Sequence, residues 1–332
     1  MVNKIDFVVT WVDGNDPVWR KKKAQYDGSI NTSGRPTLND ETRYRDMDLF
    51  QYWFRAVEKY APWVNNIYFI TYGHLPEWLN INHPKLKIIK HEDYIPREYL
   101  PTFSSNVIEL NLFRIKELSE QFVLFSDDVF INTFLKEEDL FKNHLPRLLS
   151  IYRPLVPTKE FDYINFNHLL IMNRYFHDKK TLSQHKGKFF NVGYGKFNLY
   201  NLFSIFYSGI IGYHDAHVAM PHLKSTFAEI WNKEGVLLDQ VCKNKFRSTK
   251  DVNHWLMSYW NIETNSFMPQ GLSVGEYVPL ADSEKIESII LKQKNKFLCI
   301  NDDEHTQNFS NEVDFVRKIF ENKFPKKSKF EK

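Results

Sequence analysis

The chain has little cysteine: two residues in 332, Cys242 and Cys299, far apart in sequence. That excludes a disulfide framework and offers no zinc-ligand spacing, and it points to a reducing compartment. No run of about 18 apolar residues exists, so no membrane-spanning helix is expected. Charge of one sign is also scarce. The net value is only +3, which argues against a nucleic-acid partner. Neither the GxxxxGK[ST] nor the GxGxxG pattern is present. A P-loop ATPase and a common dinucleotide enzyme are thereby disfavoured. HExxH and HxxxH are absent too, leaving no zinc protease pattern. Internal repeats and low-complexity segments are not found.

What is present is apolar and aromatic. Hydrophobic residues make up 42 % of the chain and aromatics 16 %, enough for a sizeable core. The aromatics read first as core, and second as stacking surfaces for sugars. The length suits one large domain or two intimate ones, at roughly 100–200 residues each. Basic residues gather at Arg20 to Lys23 and at Lys323, Lys326, Lys327 and Lys329. Such runs read as solvated faces, or as weak attraction to an anionic membrane surface.

Strand and helix signals alternate over the first 135 residues. Ile5 to Val12 reads as a strand ending at the Asp13-Gly14 turn. Residues 15–45 are polar and read as a long loop. Asp46 to Tyr60 has helical spacing of Leu49, Trp53, Val57 and Tyr60. Ile67 to Thr71 and Leu86 to Ile89 read as strands, Ser105 to Leu118 as a helix, and Phe122 to Phe125 as a strand. Residues 136–230 carry several helical patterns and the motif His217-Val-Ala-Met-Pro-His222. Asp251 to Trp260 reads as a helix, and Phe297 to Ile300 as a strand ending at Asn301-Asp302-Asp303. The last twenty residues read as an amphipathic helix with a basic, frayed tail.

This alternation predicts a Rossmann-like α/β fold, a mostly parallel sheet with helices on both faces. Ligands of such sheets sit outside the carboxyl ends of the strands. Those ends here carry Asp13, Thr71, His91 and the pair Asp127-Asp128. Adjacent carboxylates after an apolar strand suit Mg²⁺ or Mn²⁺, hard ions that bridge phosphate oxygens. Asp13, Asp302 and Asp303 are further candidate ligands, or turn caps. Arg43, Arg45 and Arg247 are candidate phosphate grips, the first two just before a helix N-terminus. His91, His217, His222 and His305 are candidate general bases.

At this point the residues resemble a family. Val8-Val-Thr-Trp-Val-Asp-Gly-Asn-Asp16-Pro17 is similar to the first block of the Stealth proteins, the capsular polysaccharide phosphotransferases. These are related to the animal N-acetylglucosamine-1-phosphotransferase. Arg43-Tyr-Arg-Asp46, Glu58-Lys-Tyr-Ala-Pro-Trp63, Ile67-Tyr-Phe-Ile-Thr71 and Pro76-Glu-Trp-Leu79 resemble the second block. His91-Glu-Asp93, Leu100-Pro-Thr-Phe-Ser-Ser105 and Ser126-Asp-Asp-Val-Phe130 continue it. Met220-Pro-His222 with Phe246-Arg-Ser248, and Lys296-Phe-Leu-Cys-Ile-Asn-Asp302 with His305, resemble the shorter third and fourth blocks. Where the family usually shows Asn before the Asp pair, this chain has Ser126.

The resemblance implies a glycosyltransferase-A-like sheet with a helical insertion, in a single catalytic domain over 1–332. Residues 1–135 would form the nucleotide-sugar-binding half, 136–235 a mostly helical insertion on the acceptor side, and 236–332 a return to the core. It implies transfer of a hexose-1-phosphate from a nucleotide sugar, usually UDP-linked, to a hydroxyl of a glycan or lipid-linked oligosaccharide, in bacterial capsule or exopolysaccharide synthesis. UMP would leave. An ordinary metal-dependent glycosyltransferase releasing UDP and a non-catalytic glycan-binding protein are the alternatives. Mg²⁺ or Mn²⁺ would sit on Asp127 and Asp128 with Asp13. Asp13, Asp128, His222 and His305 would be catalytic, His222 or His305 as the base. Arg43, Arg45, Asp46, His91, Arg247 and Asn301 would bind substrate. The opening MVNKIDFVVTWVDG lacks a signal-peptide layout. A cytoplasmic setting is expected, with peripheral contact at the inner face of the membrane.

Overall fold

The computed structural model describes residues 4–27, 38–303 and 305–332. The strands are β1 (Ile5–Thr10), β2 (Ile67–Thr71), β3 (Leu86–Lys90), β4 (Gln121–Phe125), β5 (Val129–Ile131), β6 (Phe141–Lys142), β7 (Leu145–Leu148), β8 (Met220–Leu223), β9 (Met268–Pro269), β10 (Gly275–Pro279) and β11 (Phe297–Asn301). The main sheet has the order β3-β2-β1-β4-β8. Its first four strands are parallel, and β8 joins β4 antiparallel, with Phe122 opposite His222.

Near-continuous apolar runs are what a sheet buried on both faces requires. Successive side chains alternate between two cores. Phe7, Val9, Phe69, Val123 and Phe125 pack on one face, against the helices Phe50–Tyr60 and Phe309–Lys323 and the second sheet. Val8, Tyr68, Ile70, Phe122 and Leu124 pack on the other, against the helices Lys224–Cys242 and Trp255–Glu263. Asp6 is the exception within β1, and it is fully buried. Its carboxylate accepts from the Asn65 amide group and the main-chain N–H groups of Asn66 and Ser119, so the burial is compensated. The expected mostly parallel α/β sheet with helices on both faces is therefore observed.

A second sheet, β10-β11-β5, stacks beside the first. The chain passes directly from β4 through Ser126-Asp127-Asp128 into β5, which pairs antiparallel with β11. The Phe297–Ile300 strand thus exists, but it belongs to this second sheet rather than adding an end to the first.

Other expectations need correction. The 15–45 segment is not all loop, since Pro17–Ala24 is a helix. Asp16 caps it by accepting from Trp19 N–H at 2.6 Å, and Pro17 stands at its first turn. Its basic run hid the signal, because Lys23 is buried beside Trp19. Residues 28–37 of that loop lie outside the described residues. The helix after Ser104 runs only Ser105–Leu110, followed by a 3₁₀ turn over Leu112–Arg114. The His217–His222 motif, to which the sequence pattern assigns no element, runs into the strand Met220–Leu223.

The C-terminal tail is docked, not frayed. Phe324 and Phe330 are buried, and Asn80 N–H donates to Phe330 C=O at 2.8 Å. Lys323 turns inward and donates to Asn132, so it does not join a basic surface. The Arg55 guanidinium meets the Glu331 carboxylate through two hydrogen bonds of 2.9 and 2.6 Å, and donates to Phe324 C=O at 2.8 Å. Burial alone would raise the Glu331 carboxyl, but the Arg55 and Ser328 hydrogen bonds outweigh it and hold the pKa below its ordinary 4.5. Glu331→Ala leaves Arg55 without its partner and is expected to cost about 2 kcal/mol, less than a fully buried pair because solvent reaches the Arg55 stem. A depressed carboxylate contributes stability above its ordinary pKa and loses it as pH falls through the folded value. Melting curves of the two proteins should therefore stay separated from pH 7 down to the ordinary carboxyl value of 4.5 and converge as pH falls below it. A gap that does not shrink below that value would contradict the assignment.

Candidate functional site

A cleft of about 260 Å³ opens at the carboxyl ends of β1 and β4, between the two sheets. β1 and β4 are neighbours, with β2 and β3 on one side and β8 on the other, so this is the place where the strand order turns. Trp11 and Val12 form one wall and Ser126 to Val129 the floor. The cleft brings together Arg43, Arg45, Asp46, His91, Asp127, Asp128, Arg247 and Asn301 from the sequence-based set, along with Asp302.

The floor is the electrostatic centre. Asp127 and Asp128 are half-buried where β4 hands over to β5. β11 fixes the turn, because Ile300 N–H donates to Asp128 C=O at 2.9 Å. Burial raises the Asp127 carboxyl well above its usual range, and the neighbouring Asp128 and Asp46 raise it further. Burial also raises Asp128, against the opposing pull of His217, the Cys299 hydrogen bond and Arg43. Cys299 Sγ donates to Asp128 Oδ2 at 3.5 Å, while Asp128 Oδ1 is buried with no hydrogen-bond partner among the described residues. An orphaned carboxylate oxygen beside a second carboxylate calls for a positive partner.

Two arginines stand across the cleft. Burial lowers the Arg43 pKa, and the Arg247 charge lowers it further, while Asp40 and Asp128 oppose. Two guanidinium groups that raise one another's energy are suited to share an anion. Arg247 is held at both ends. Its main chain exchanges hydrogen bonds of 3.0 and 2.9 Å with the Asn39 side chain, and its Nη2 donates to Ser105 Oγ at 2.6 Å. Arg45 is engaged differently. It pairs with Asp302 at 2.8 Å and lies over the Phe309 ring, so it closes one rim instead of reaching into the floor. Asp46 anchors the opposite wall by accepting from Trp11 Nε1 at 3.0 Å and Asp48 N–H at 2.7 Å.

Asp13 sits at the lip, next to cleft-lining Val12. Its N–H donates to His74 Nε2 at 2.8 Å, and its Oδ1 accepts from Asn15 N–H at 2.8 Å, the geometry of a side-chain turn. His91 is buried after β3, and desolvation lowers its pKa to about 3, so its ring is neutral.

The two histidines expected as bases are not brought into the cleft. His222 points from β8 into the core, with none of its surface exposed. Desolvation lowers it to about 3, and its Nε2 lies 3.0 Å from His254 Nδ1. The alternation of β8 explains this, since its Met220 and His222 face opposite ways from Pro221. His305 is exposed in the turn after Asp303, whose Oδ1 accepts its main-chain N–H at 3.0 Å, and it does not line the cleft. In their place stand His217, Glu109 and His254. His217 has a φ of 49°, in the left-handed region, and its ring lies edge-on to Trp255 and Tyr277 at 5.6 and 5.3 Å. The ligand atoms of His217, Asp128 and Cys299 all lie within 4.8 Å of one another. Glu109 is 7 % exposed, and burial raises its pKa to about 7 against the pull of Arg247 and a hydrogen bond with Ser105. His254 Nε2 is 3.8 Å from Glu109 Oε2. Glu109 and His254 were not singled out from the sequence. A charge between Ile108 and Leu110, inside an otherwise apolar helical stretch, was the available signal.

Models of Stealth protein conserved regions match the chain, region 1 over residues 3–30 and region 2 over residues 43–148. The capsular polysaccharide phosphotransferase WcwK of Streptococcus pneumoniae is 91 % identical over 332 residues, covering 100 % of both chains. The exopolysaccharide phosphotransferase cps2G of Lactiplantibacillus plantarum is 36 % identical over 330 residues, covering 99 % of this chain and 96 % of its own. Among solved structures, the galactosyltransferase LgtC in complex with donor and acceptor sugar analogues aligns over 94 % of this chain and 95 % of its own. Its TM-score of 0.37 and identity of 9 % are too low to carry an argument.

The raised carboxyl pair has a consequence for stability. A group whose folded pKa lies above its unfolded value favours folding at low pH and loses that contribution as pH rises through the folded pKa. Asp127→Asn is therefore expected to leave the melting temperature at pH 7 in chelator-treated protein unchanged or raised by a few degrees. It should also flatten the decline of stability above pH 4. A lowered melting temperature at pH 7 would show that the pair is already compensated within the protein.

Proposed function

Because this chain belongs to the Stealth family of polysaccharide phosphotransferases, we propose that it transfers a sugar-1-phosphate from a UDP-sugar to a hydroxyl of a capsular glycan acceptor, releasing UMP. The observation that carries this reading is the opposition, in one cleft, of the Asp127-Asp128 carboxylates to the Arg43 and Arg247 guanidinium groups. A nucleotide sugar presents two adjacent phosphates, and such a site offers them both a cation seat and an arginine pair.

The residues fit a hard divalent cation. Asp128 Oδ1 is buried without a hydrogen-bond partner among the described residues, and oxygen ligands suit Mg²⁺ or Mn²⁺. Asp127 and Asp128 would hold it, with Asp13 at the lip. When bound, it would supply positive charge to the phosphate oxygens. Arg43 and Arg247 bind the phosphate bearing the sugar, and Asp46, through Trp11, keeps the wall against which the donor lies. The acceptor oxygen forms a bond to that phosphorus, the phosphoanhydride bond breaks, and the nucleoside monophosphate leaves. The sugar C1–O bond stays intact. The acceptor proton passes to Glu109, which lines the cleft beside Arg247 and, at about 7, is matched to the task. His254 and the buried His222 behind it keep that side of the cleft in place.

The deciding experiment resolves the nucleotide product by anion exchange, with Mg²⁺, a panel of UDP-sugars and a capsule-type oligosaccharide. UMP that appears only with acceptor is the expected result. UDP would mean that the glycosidic bond is cut and an ordinary glycosyltransferase is at work. Asp128→Asn is expected to lower kcat by ~10²-fold or more without lowering the melting temperature. A variant keeping more than about a tenth of activity would sink the role given to Asp128. The base has its own signature. kcat/KM should rise with pH through about 7 and level off above it. Glu109→Gln should lose about 10²-fold or more and erase that limb. A limb that persists in Glu109→Gln would assign the proton to another group.

A further inference from the structure

From Lys179 to His214 the chain has no acidic residue and five lysines, Lys179, Lys180, Lys186, Lys188 and Lys196. Within this stretch the helix Asn198–Ser204 is inverted. It buries Asn201 and Ser204 and exposes Leu199, Leu202 and Phe203. The buried amide is fully used, since Asn201 Nδ2 donates to Ser150 C=O and Phe189 C=O at 2.9 and 2.6 Å, and its Oδ1 accepts from Tyr152 N–H at 2.7 Å. The polar side is therefore a fixed anchor, and the apolar side is left to solvent. The chain continues outward through Ile205, Phe206 and Tyr207, with Phe206 80 % exposed, and Val192 at the preceding turn is 98 % exposed. Scattered exposed apolar residues are ordinary, but a run of them on an inverted helix is not.

The lysines divide into two groups. Lys179 Nζ donates to Ser204 C=O and Tyr207 C=O, holding the end of the apolar segment, and Lys188 Nζ donates to Asn265 C=O and Phe267 C=O. Lys180, Lys186 and Lys196 are exposed. The neighbouring helix Asp162–Phe176 adds Tyr163, Phe166 and Leu170 at the spacing of one helical face, all exposed. Its Asn173 side chain exchanges hydrogen bonds of 2.7 and 2.8 Å with the main chain of Ile210. That helix starts one residue after Phe161, which lines the cleft.

We propose that this face, built from the inverted helix Asn198–Ser204, the segment Ile205 to Tyr207 and the lysines around them, docks the protein on an anionic lipid bilayer. Exposed aromatic and aliphatic side chains beside lysines, with no carboxylate in the stretch, match an interface where acyl chains meet negative headgroups. A soluble partner would need a surface that is both acidic and apolar. The bilayer offers both, and its docking would bring the mouth of the cleft toward membrane-borne glycan. The inference does not depend on the transfer chemistry, and its test reads binding alone.

The test floats the full chain with vesicles of phosphatidylcholine, and with vesicles of equal parts phosphatidylcholine and phosphatidylglycerol. Two variants are compared, Phe203→Ser with Phe206→Ser, and Lys180→Glu with Lys186→Glu and Lys196→Glu. Binding to the phosphatidylglycerol vesicles, weakened by salt and cut ~10-fold or more in each variant, is the expected result. Nucleotide release with a soluble acceptor should be unchanged in both variants, which lie outside the cleft. Absence of binding to the anionic vesicles would overturn the proposal, as would equal binding to phosphatidylcholine alone. So would a wild-type dimer, seen by light scattering, that the phenylalanine variant converts to monomer, since the face would then be an interface between copies. If the phenylalanine variant fails to fold, the lysine variant carries the test.

Discussion

Two adjacent carboxylates, Asp127 and Asp128, stand where the chain leaves one sheet and enters another, and most of the site is arranged around that fact. They cannot move apart, because β4 precedes them and β5 follows them. They cannot turn freely to water, because β11 pins the main chain of Asp128 and the Cys299 thiol covers one of its oxygens. Burial raises both groups, and repulsion from Asp128 and Asp46 adds to the rise at Asp127. Such an arrangement is unfavourable by itself and is stabilised only by positive charge. Arg43 supplies part of it, and a bound cation would supply the rest.

The parallel sheet is what makes the position available. Strands β1 and β4 lie side by side, and their carboxyl ends deliver Trp11-Val12 and Asp127-Asp128 to the two sides of one opening. The second sheet then closes the far side with Asn301 and Asp302, the latter tied to Arg45. Arg247 comes from the segment after the helix Lys224–Cys242, and its bonds to Asn39 and Ser105 stitch three distant parts of the chain together. The charge balance of the cleft is thus a tertiary property. No short segment contains it.

That explains what was legible in the sequence. The strands of the main sheet could be read because both faces are buried and their runs are almost wholly apolar, and the polar residues at their ends stood out against them. Asp127, Asp128, Arg43 and Arg247 were found in this way or through the family resemblance. The helix Pro17–Ala24 was missed because its buried positions include Lys23, a charge that periodicity counts as polar. β8 was missed because Met-Pro-His-Leu is short and carries proline, which an outer strand tolerates. His222 looked like a base because sequence shows residue type but not facing, and only the alternation of β8 against β4 reveals that its ring points into the core. Glu109 was hidden for the opposite reason. It is a charge within an apolar helix, and its cleft-facing role depends on Arg247 and His254, more than a hundred residues away. The docked tail was read as frayed because its lysines are conspicuous, whereas Phe324, Phe330 and Glu331 hold it.

The claim that everything else rests on is that the Asp127-Asp128 turn is an uncompensated anionic seat. Calorimetric titration with Mn²⁺ tests it most directly, run near pH 6 in two buffers of different ionisation enthalpy. Carboxyls with raised pKa values must give up protons when a cation takes their place. The account predicts saturable binding with proton release, lost in Asp128→Asn and weakened in Asp127→Asn. Binding without proton release, or binding that survives Asp128→Asn, would contradict it.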